Sequence, residues 1–275
     1  AEEKVEVVFH AAAYKHVPIV EENPISGIYN NVFSTKVICE ASITNQLRLM
    51  ILISTDKAVR PTNVMGCSKR LAEIVVQAFA QQKSLIDNRE IKSDTIFAMV
   101  RFGNVLGSSG SVVPLFQRQI NEGGPITITH PEIIRYFMTI SESAQLVLQA
   151  SSLSTGGEVF LLDMGEPVKI KNLAEQMIKL NGLTLKDTKN PDGDIEIVYT
   201  RLRKGEKLFE ELLISAKSES SQHPLIYKAN EKFIMPDDLW PRLKKLKSAL
   251  KTNNLKKTIN LMKEFVPEWS NSFKI

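Results

Sequence analysis

Apolar residues along the first two-thirds of the chain fall into two alternating patterns. Short continuous runs, Val5-Glu6-Val7-Val8-Phe9, Leu49-Met50-Ile51-Leu52-Ile53, Thr95-Ile96-Phe97-Ala98-Met99-Val100 and Glu158-Val159-Phe160-Leu161-Leu162, read as buried strands. Amphipathic stretches lie between them: Pro24 to about Asn45, Asn63 to about Gln82, and Ser141 to Ser151 with Ser141 as the helix N-cap. Continuous apolar strands separated by helices predict a parallel sheet covered on both faces. That is a doubly wound α/β domain, which binds its ligands at the carboxyl ends of the strands. From Val168 onward the pattern changes to an amphipathic helix (Ile170 to Leu180), a strand (Ile195 to Val198), polar loops and lysine-rich helices. The predicted division is an α/β domain over residues 1–165 and a smaller lobe with C-terminal helices over 166–275. Residues 110–139 are expected to contribute to the smaller lobe.

Composition narrows the class. With 275 residues and 43% hydrophobic content the chain can bury a full core. No apolar run approaches the roughly 18 residues that span a bilayer, and no signal-peptide pattern is read at its start. Two cysteines, Cys39 and Cys67, are too few for a disulfide framework or a metal cage, which points to a reducing cytoplasm. The histidines His10, His16, His130 and His223 lack ligand spacing on one helix face, so no metal is expected. The net charge of +4 is crowded into Lys244, Lys245, Lys247, Lys251, Lys256 and Lys257. Leu243, Leu246, Leu250 and Leu255 recur opposite them at helical spacing, and no aromatic platform accompanies the lysines. A solvated helix face is therefore expected there, and no nucleic-acid partner.

The loops after the first three strands are unusual: His10-Ala11-Ala12-Ala13, Ser54-Thr55-Asp56-Lys57 and Arg101-Phe102-Gly103-Asn104-Val105-Leu106-Gly107. In a doubly wound fold all three end on the same rim. Extended to His10–Pro18, Ser54–Asn63 and Arg101–Val105, these blocks resemble the extended short-chain dehydrogenase/reductase superfamily. More narrowly they resemble its polysaccharide-biosynthesis branch, which contains UDP-N-acetylglucosamine 4,6-dehydratases. Arg201-Leu202-Arg203-Lys204-Gly205-Glu206-Lys207-Leu208 is similar to that branch as well, so the likeness runs from about Val5 to Leu213. It implies an NAD-binding Rossmann-type domain with a smaller substrate-binding lobe.

Two departures from the family pattern sharpen this picture. Most of the superfamily carries Tyr-x-x-x-Lys on the helix after the active-site strand, where this chain has Met65-Gly66-Cys67-Ser68-Lys69. Methionine has no ionisable proton and cannot act as the base. A similar replacement occurs in larger, membrane-associated members of the dehydratase branch. The second departure is the glycine-rich turn, Gly-x-x-Gly-x-x-Gly, with which the family opens and which this sequence does not contain. The chain begins at what corresponds to the family's fourth strand, so Val5 to Phe9 is expected to have an unpaired edge. The expectation is a fragment that does not bind NAD normally alone, its partner being a preceding segment of the same protein that carries a membrane anchor in larger family members. A homo-oligomer on the cytoplasmic side is expected.

The reaction implied by the resemblance oxidises sugar C4 with NAD, removes water across C5 and C6, and returns the hydride to C6. By resemblance Asp56 is the acid, Lys57 the base, and Thr55 the contact to the C4 hydroxyl. Met65 in the tyrosine position moves the C4 proton toward Thr55 or another group. Lys69 is expected on the nicotinamide ribose, and Ala11, Ala12, Ala13, Lys15 and Arg101 at the cofactor. Asn104 is expected at the sugar or its diphosphate. Arg135 and Arg203 are expected at the diphosphate, and Glu206 at the uridine ribose hydroxyls. Two alternatives to a UDP-N-acetylglucosamine 4,6-dehydratase stay open, a UDP-sugar 4-epimerase and a non-catalytic fragment. An adjacent acid–base pair without the tyrosine favours dehydration.

Overall fold

The computed structural model describes residues 2–81, 85–86, 89–90, 94–211 and 218–270. Gln82 and Leu213, where the predicted helix and the resemblance end, lie outside them. The chain divides into two compact units, one of Ala1–Phe102, Gln145–Asp163 and Leu212–Ile275, the other of Gly103–Ala144 and Met164–Glu211.

The first unit is built on the predicted parallel sheet. Strands β1 (Val7–His10), β2 (Leu49–Thr55), β3 (Ile96–Phe102) and β4 (Val159–Leu162) lie side by side in that order and run parallel. Val7 stands opposite Leu49, and Thr55 opposite Phe102. On β3, Phe97 and Met99 alternate with Ala98 and Val100, and all four are buried, so both faces of the sheet are covered. This is the doubly wound α/β arrangement the apolar runs predict. Beyond β4 the sheet continues with Ile226–Ala229 and Ser218–Ser220, both antiparallel to their neighbours. These two strands are short, and Ser218-Glu219-Ser220 is wholly polar, so no apolar run announced them.

The helices depart from expectation in instructive ways. The stretch expected as one helix from Pro24 is preceded by α1 (Val17–Glu22) and comprises α2 (Pro24–Ile28), a π-helical segment (Tyr29–Phe33) and α3 (Ser34–Thr44). Helix α4 (Val64–Gln81) packs on β2, β3 and α3. Its residues from Val64 to Phe79 are all buried, as a helix covered on every side requires. Ser141 is not an N-cap, because that helix runs from Ile140 to Ser152. Thr139 caps it instead. Its hydroxyl accepts from Glu142 N at 3.2 Å while Glu142 Oε2 accepts from Thr139 N at 2.8 Å, a capping box.

The lysine-rich helices Pro236–Lys251 and Leu255–Phe265 belong to the first unit and pack on α4, not with the smaller lobe. Periodicity shows that a helix has a buried face but not what covers it, and this is why the boundary expected at 165/166 differs from the observed division. Leu243, Leu246 and Leu250 are buried, while Leu255 is 37% exposed. The lysines opposite are exposed. Cys39 and Cys67 are both fully buried free thiols, and burial pushes both thiols up from their ordinary range.

The second unit has its own core of Phe116, Ile120, Ile126, Ile170, Met177 and Ile195, among others. A three-stranded parallel sheet of Leu185–Lys186, Ile195–Tyr199 and Ile126–Ile128 supports helices Val112–Asn121 and Ile170–Leu180. Among the described residues, no helix is long and apolar enough to cross a membrane.

Phe97 of β3 is 1% exposed, and its ring lies 5.9 Å from that of Phe79 on α4. Phe97→Ala is expected to destabilise the first unit by about 3–5 kcal/mol, read as a lower denaturant midpoint. An unchanged midpoint would show that β3 and α4 do not share a core.

Candidate active site

Strand β2 ends at Thr55 and turns at once into a single 3-10 turn, Asp56–Ala58. The turn aims three adjacent side chains at one another. Thr55 Oγ1 donates to Asp56 Oδ1 at 2.8 Å, and Lys57 Nζ donates to the same oxygen at 3.0 Å. Thr55 Oγ1 also accepts from Lys57 N at 3.4 Å. Asp56 is only 3% exposed, yet its second oxygen, Oδ2, is buried without a hydrogen-bond partner. A buried carboxylate oxygen left unpaired is costly, and such groups concentrate where a ligand supplies the missing partner.

Helix α4 is held against this turn by two polar contacts at its start. Asn63 Oδ1 accepts from Gly66 N at 2.8 Å, the usual work of an N-cap side chain, and Glu21 Oε1 accepts from Val64 N at 2.6 Å. Gly66 is what lets the helix come so close. A Cβ there would lie 2.1 Å from Lys57 O. The Met65–Lys69 spacing therefore carries a steric demand at its second position that has nothing to do with proton chemistry.

Met65, Lys69 and Glu73 recur every four residues on one side of α4. Met65 is buried at 3% exposure. Lys69 is buried too, and its Nζ donates to Ile53 O on β2 at 2.7 Å. Burial lowers the Lys69 ammonium to about 8, with the Glu73 carboxylate acting in the opposite direction. His10, at the end of β1, hydrogen-bonds Thr35 Oγ1 through Nε2 at 3.1 Å. Burial first, and the Lys69 charge second, lower its imidazole to about 4, so it is neutral at neutral pH.

Asn31, in the π-helical segment, ties the loop after β1 to α4. Its Oδ1 accepts from Tyr14 N at 2.7 Å, and its Nδ2 donates to Tyr14 O at 3.1 Å and to Ser68 Oγ at 2.9 Å. Irregular helical turns of this kind are frequent at functional sites. Ala11 and Ala12 are exposed in that loop and Ala13 is half-buried, while Lys15 is exposed. Ala12 borders a cavity of about 680 Å³ that His10, Tyr29, Phe33 and Trp240 also line.

Arg101 requires a correction. It is 1% exposed and fully committed inside the protein. Nε and Nη2 donate to the two oxygens of Glu73 at 2.7 and 2.6 Å, and Nη1 donates to Glu231 at 2.5 Å. Those carboxylates raise its already high pKa. With its fork closed on Glu73, Arg101 has no face left for the cofactor contact expected of it. Glu73, Ser54, Asn31 and His10 were not among the residues expected to matter. For Glu73 the signal was available, since an acidic residue falls one turn after Lys69 on the same side of a largely apolar helix.

The remaining expected residues lie in the second unit. Asn104 Nδ2 donates to Tyr136 O at 3.2 Å. Arg135 pairs with Glu206 at 3.4 Å and Glu210 at 3.6 Å. Glu206 also accepts from Thr129 Oγ1 at 3.1 Å and from Arg203 N at 3.0 Å. Arg203 itself is exposed. The structure thus joins Arg135, Glu206 and the Arg203 backbone into one polar cluster.

The chain belongs to the polysaccharide biosynthesis protein family, whose model matches residues 1–231. It is 52% identical to the capsular polysaccharide biosynthesis protein CapD of Staphylococcus aureus over 206 residues, 75% of this chain and 32% of CapD. A UDP-glucose 4-epimerase of Rickettsia rickettsii is 37% identical over 211 residues, 77% of this chain and 57% of that one. Among solved structures, Pen from Bacillus thuringiensis superimposes with a TM-score of 0.70 at 32% identity, covering 83% of this chain and 67% of Pen. The chain therefore spans about a third of CapD's length. The fold is the Rossmann type of the short-chain dehydrogenase/reductase enzymes.

Gly66→Ala is expected to destabilise the protein although alanine is the better helix former. The overlap with Lys57 O costs about 1–3 kcal/mol, against the roughly 0.5–1 kcal/mol gained in propensity, and a raised denaturant midpoint would refute the close approach. Lys69 gives a pH signature. Its folded value of about 8 lies below the ordinary 10.5, so the fold carries a buried cation below pH 8 and is relieved of it as pH rises toward 10.5. Stability of the natural protein should rise over that window relative to that of Lys69→Met, the two buried thiols acting alike in both. Parallel urea-stability profiles from pH 7 to 10.5 would sink the assignment.

Proposed function

We propose that this chain carries the dehydrating half of a nucleotide-sugar 4,6-dehydratase acting on UDP-N-acetylglucosamine in glycan, capsule or glycoprotein sugar synthesis. One observation carries the reading: a buried Asp56 whose Oδ1 is shared by Thr55 and Lys57 and whose Oδ2 has no partner. Elimination across C5 and C6 needs a base and an acid side by side. Asp56 and Lys57 become that pair when one proton crosses their 3.0 Å hydrogen bond, leaving a neutral carboxylic acid and a free amine. The amine takes the C5 proton, and the acid protonates the departing C6 hydroxyl. Thr55 holds the C4 oxygen.

The residues present fit NAD in part. The small side chains of Ala11, Ala12 and Ala13, the first two exposed, leave room for a cofactor to pass closely, and the buried ammonium of Lys69 suits a ribose hydroxyl. Bound there, NAD supplies the hydride acceptor and donor. Met65 offers nothing ionisable beside it, so the C4 proton leaves through Thr55 to a group other than Asp56, which already holds the Lys57 proton. In the second unit, Arg135, Arg203 and Glu206 are the residues for the diphosphate and the uridine ribose, and Asn104 is the candidate for the sugar. A homo-oligomer assembled with further segments of the same protein completes the reading.

A UDP-sugar 4-epimerase is the second reading, favoured by the 37% identity to the Rickettsia rickettsii epimerase. The two differ in mass. With UDP-N-acetylglucosamine and NAD, the full-length protein is expected to form a product lighter by one water, and Asp56→Asn to lower turnover about 10²–10⁴-fold. An epimerised sugar of unchanged mass would establish the second reading instead.

A further inference from the structure

Four charge-assisted hydrogen bonds meet on the carboxylate of Glu73, a residue with no exposed surface. Ser54 Oγ donates to Oε1 at 2.6 Å and Arg101 Nε to the same oxygen at 2.7 Å. Arg101 Nη2 donates to Oε2 at 2.6 Å and Arg70 Nη1 at 3.2 Å. Burial alone would raise the Glu73 carboxyl, but Arg101, Arg70 and Ser54 outweigh it and hold the group at about 2. The carboxylate is therefore a permanent anion, and its four donors come from three residues at separate places in the chain, Ser54, Arg70 and, twice, Arg101.

Those places are informative. Ser54 is the residue just before Thr55 on β2, Arg101 is its register partner on the neighbouring strand β3, and Glu73 stands one helical turn beyond Lys69. Lys69 already grips β2 one residue earlier, at Ile53 O. Two successive turns of α4 thus hold two successive residues of β2, one through its carbonyl and one through its hydroxyl. The loop that follows opens with Thr55, whose Oγ1 donates to Asp56 Oδ1, and with Lys57, whose Nζ donates to the same oxygen, so the end of β2 sets where this group begins.

We propose that Glu73 and Ser54 are positioning residues for the chemistry at Thr55, Asp56 and Lys57. Arg101 locks the Glu73 carboxylate in one orientation, and Ser54 hands that orientation to the end of β2. The network extends outward, since Arg70 and Arg101 both reach Glu231, and Arg70 also reaches Glu268. Glu231 and Glu268 therefore share in fixing the strand end, although the family match stops at residue 231. The proposal rests on the reading of Thr55–Lys57 as the reacting group.

The test removes the link without stripping a buried arginine of its counter-charge, as Glu73→Gln would. Ser54→Ala deletes one hydroxyl and leaves the Glu73–Arg101 pair whole, and Ser54→Thr restores the hydroxyl as a second variant. In the full-length protein, Ser54→Ala is expected to remain folded with its melting temperature lowered by a few degrees, the cost of one hydrogen bond to a charged group. Backbone hydrogen exchange over residues 55–59 should rise about tenfold, while exchange over α4 stays as it was. Turnover should fall tenfold to a hundredfold, the scale on which small misplacements act, with KM nearly unchanged. Ser54→Thr should recover both. An alanine variant whose turn exchanges as slowly as the natural one overturns the proposal, and so does faster exchange with turnover intact. Should the natural protein not dehydrate UDP-N-acetylglucosamine, the dehydratase reading falls while the exchange measurement still decides whether Ser54 and Glu73 hold the turn.

Discussion

Helix α4 is surrounded by protein on every side, and that single constraint organises most of the first unit. A side chain on such a helix cannot reach solvent, so each polar residue it carries must find a partner inside. Four do so within two turns: Ser68 with Asn31, Lys69 with Ile53 O, Arg70 with Glu73, and Glu73 with Ser54 and Arg101. The partners outside the helix come from the π-helical segment, from β2 and from β3. Satisfying the helix therefore fastens together the strand ends on which a doubly wound fold places its chemistry. The C-terminal helices complete the enclosure, and without them the outer face of α4 would be wet.

Much of this was legible in the sequence, for definable reasons. Buried parallel strands must be continuously apolar, so β1 to β4 stood out, and β2 and β3 differ from their predicted limits by one or two residues. Loops that carry Thr-Asp-Lys or three alanines at strand ends are unusual enough to mark a rim. Illegible were the features that depend on who the neighbour is. The strand Ile226–Ala229 owes its existence to β4 beside it, and the assignment of the lysine-rich helices to the first unit is decided by α4. Arg101 shows the same limit at a single residue. Its place at the end of a strand suggested ligand contact, while Glu73, 28 positions away in the chain, takes its guanidinium.

The Thr55-Asp56-Lys57 triplet also gains meaning from its surroundings. An Asp-Lys pair on a water-exposed loop would be an ordinary ion pair of little energetic consequence. Here the aspartate is buried, one of its oxygens is doubly bonded and the other is bare. The two oxygens of one carboxylate therefore sit in different surroundings, one shared by Thr55 and Lys57 and the other without a hydrogen-bond partner.

The two cysteines add a practical dimension. Cys39 and Cys67 are sealed in the core with their thiols held in the protonated form, and a protonated thiol is a poor nucleophile. Alkylating reagents at neutral pH will pass over both as long as the fold is intact. The protein therefore arrives with a blank background for site-directed labelling. A single cysteine substituted on the exposed lysine face of the C-terminal helices could carry a fluorophore or spin label with neither Cys39 nor Cys67 replaced, and the sudden reactivity of Cys67 would itself report the moment α4 comes loose.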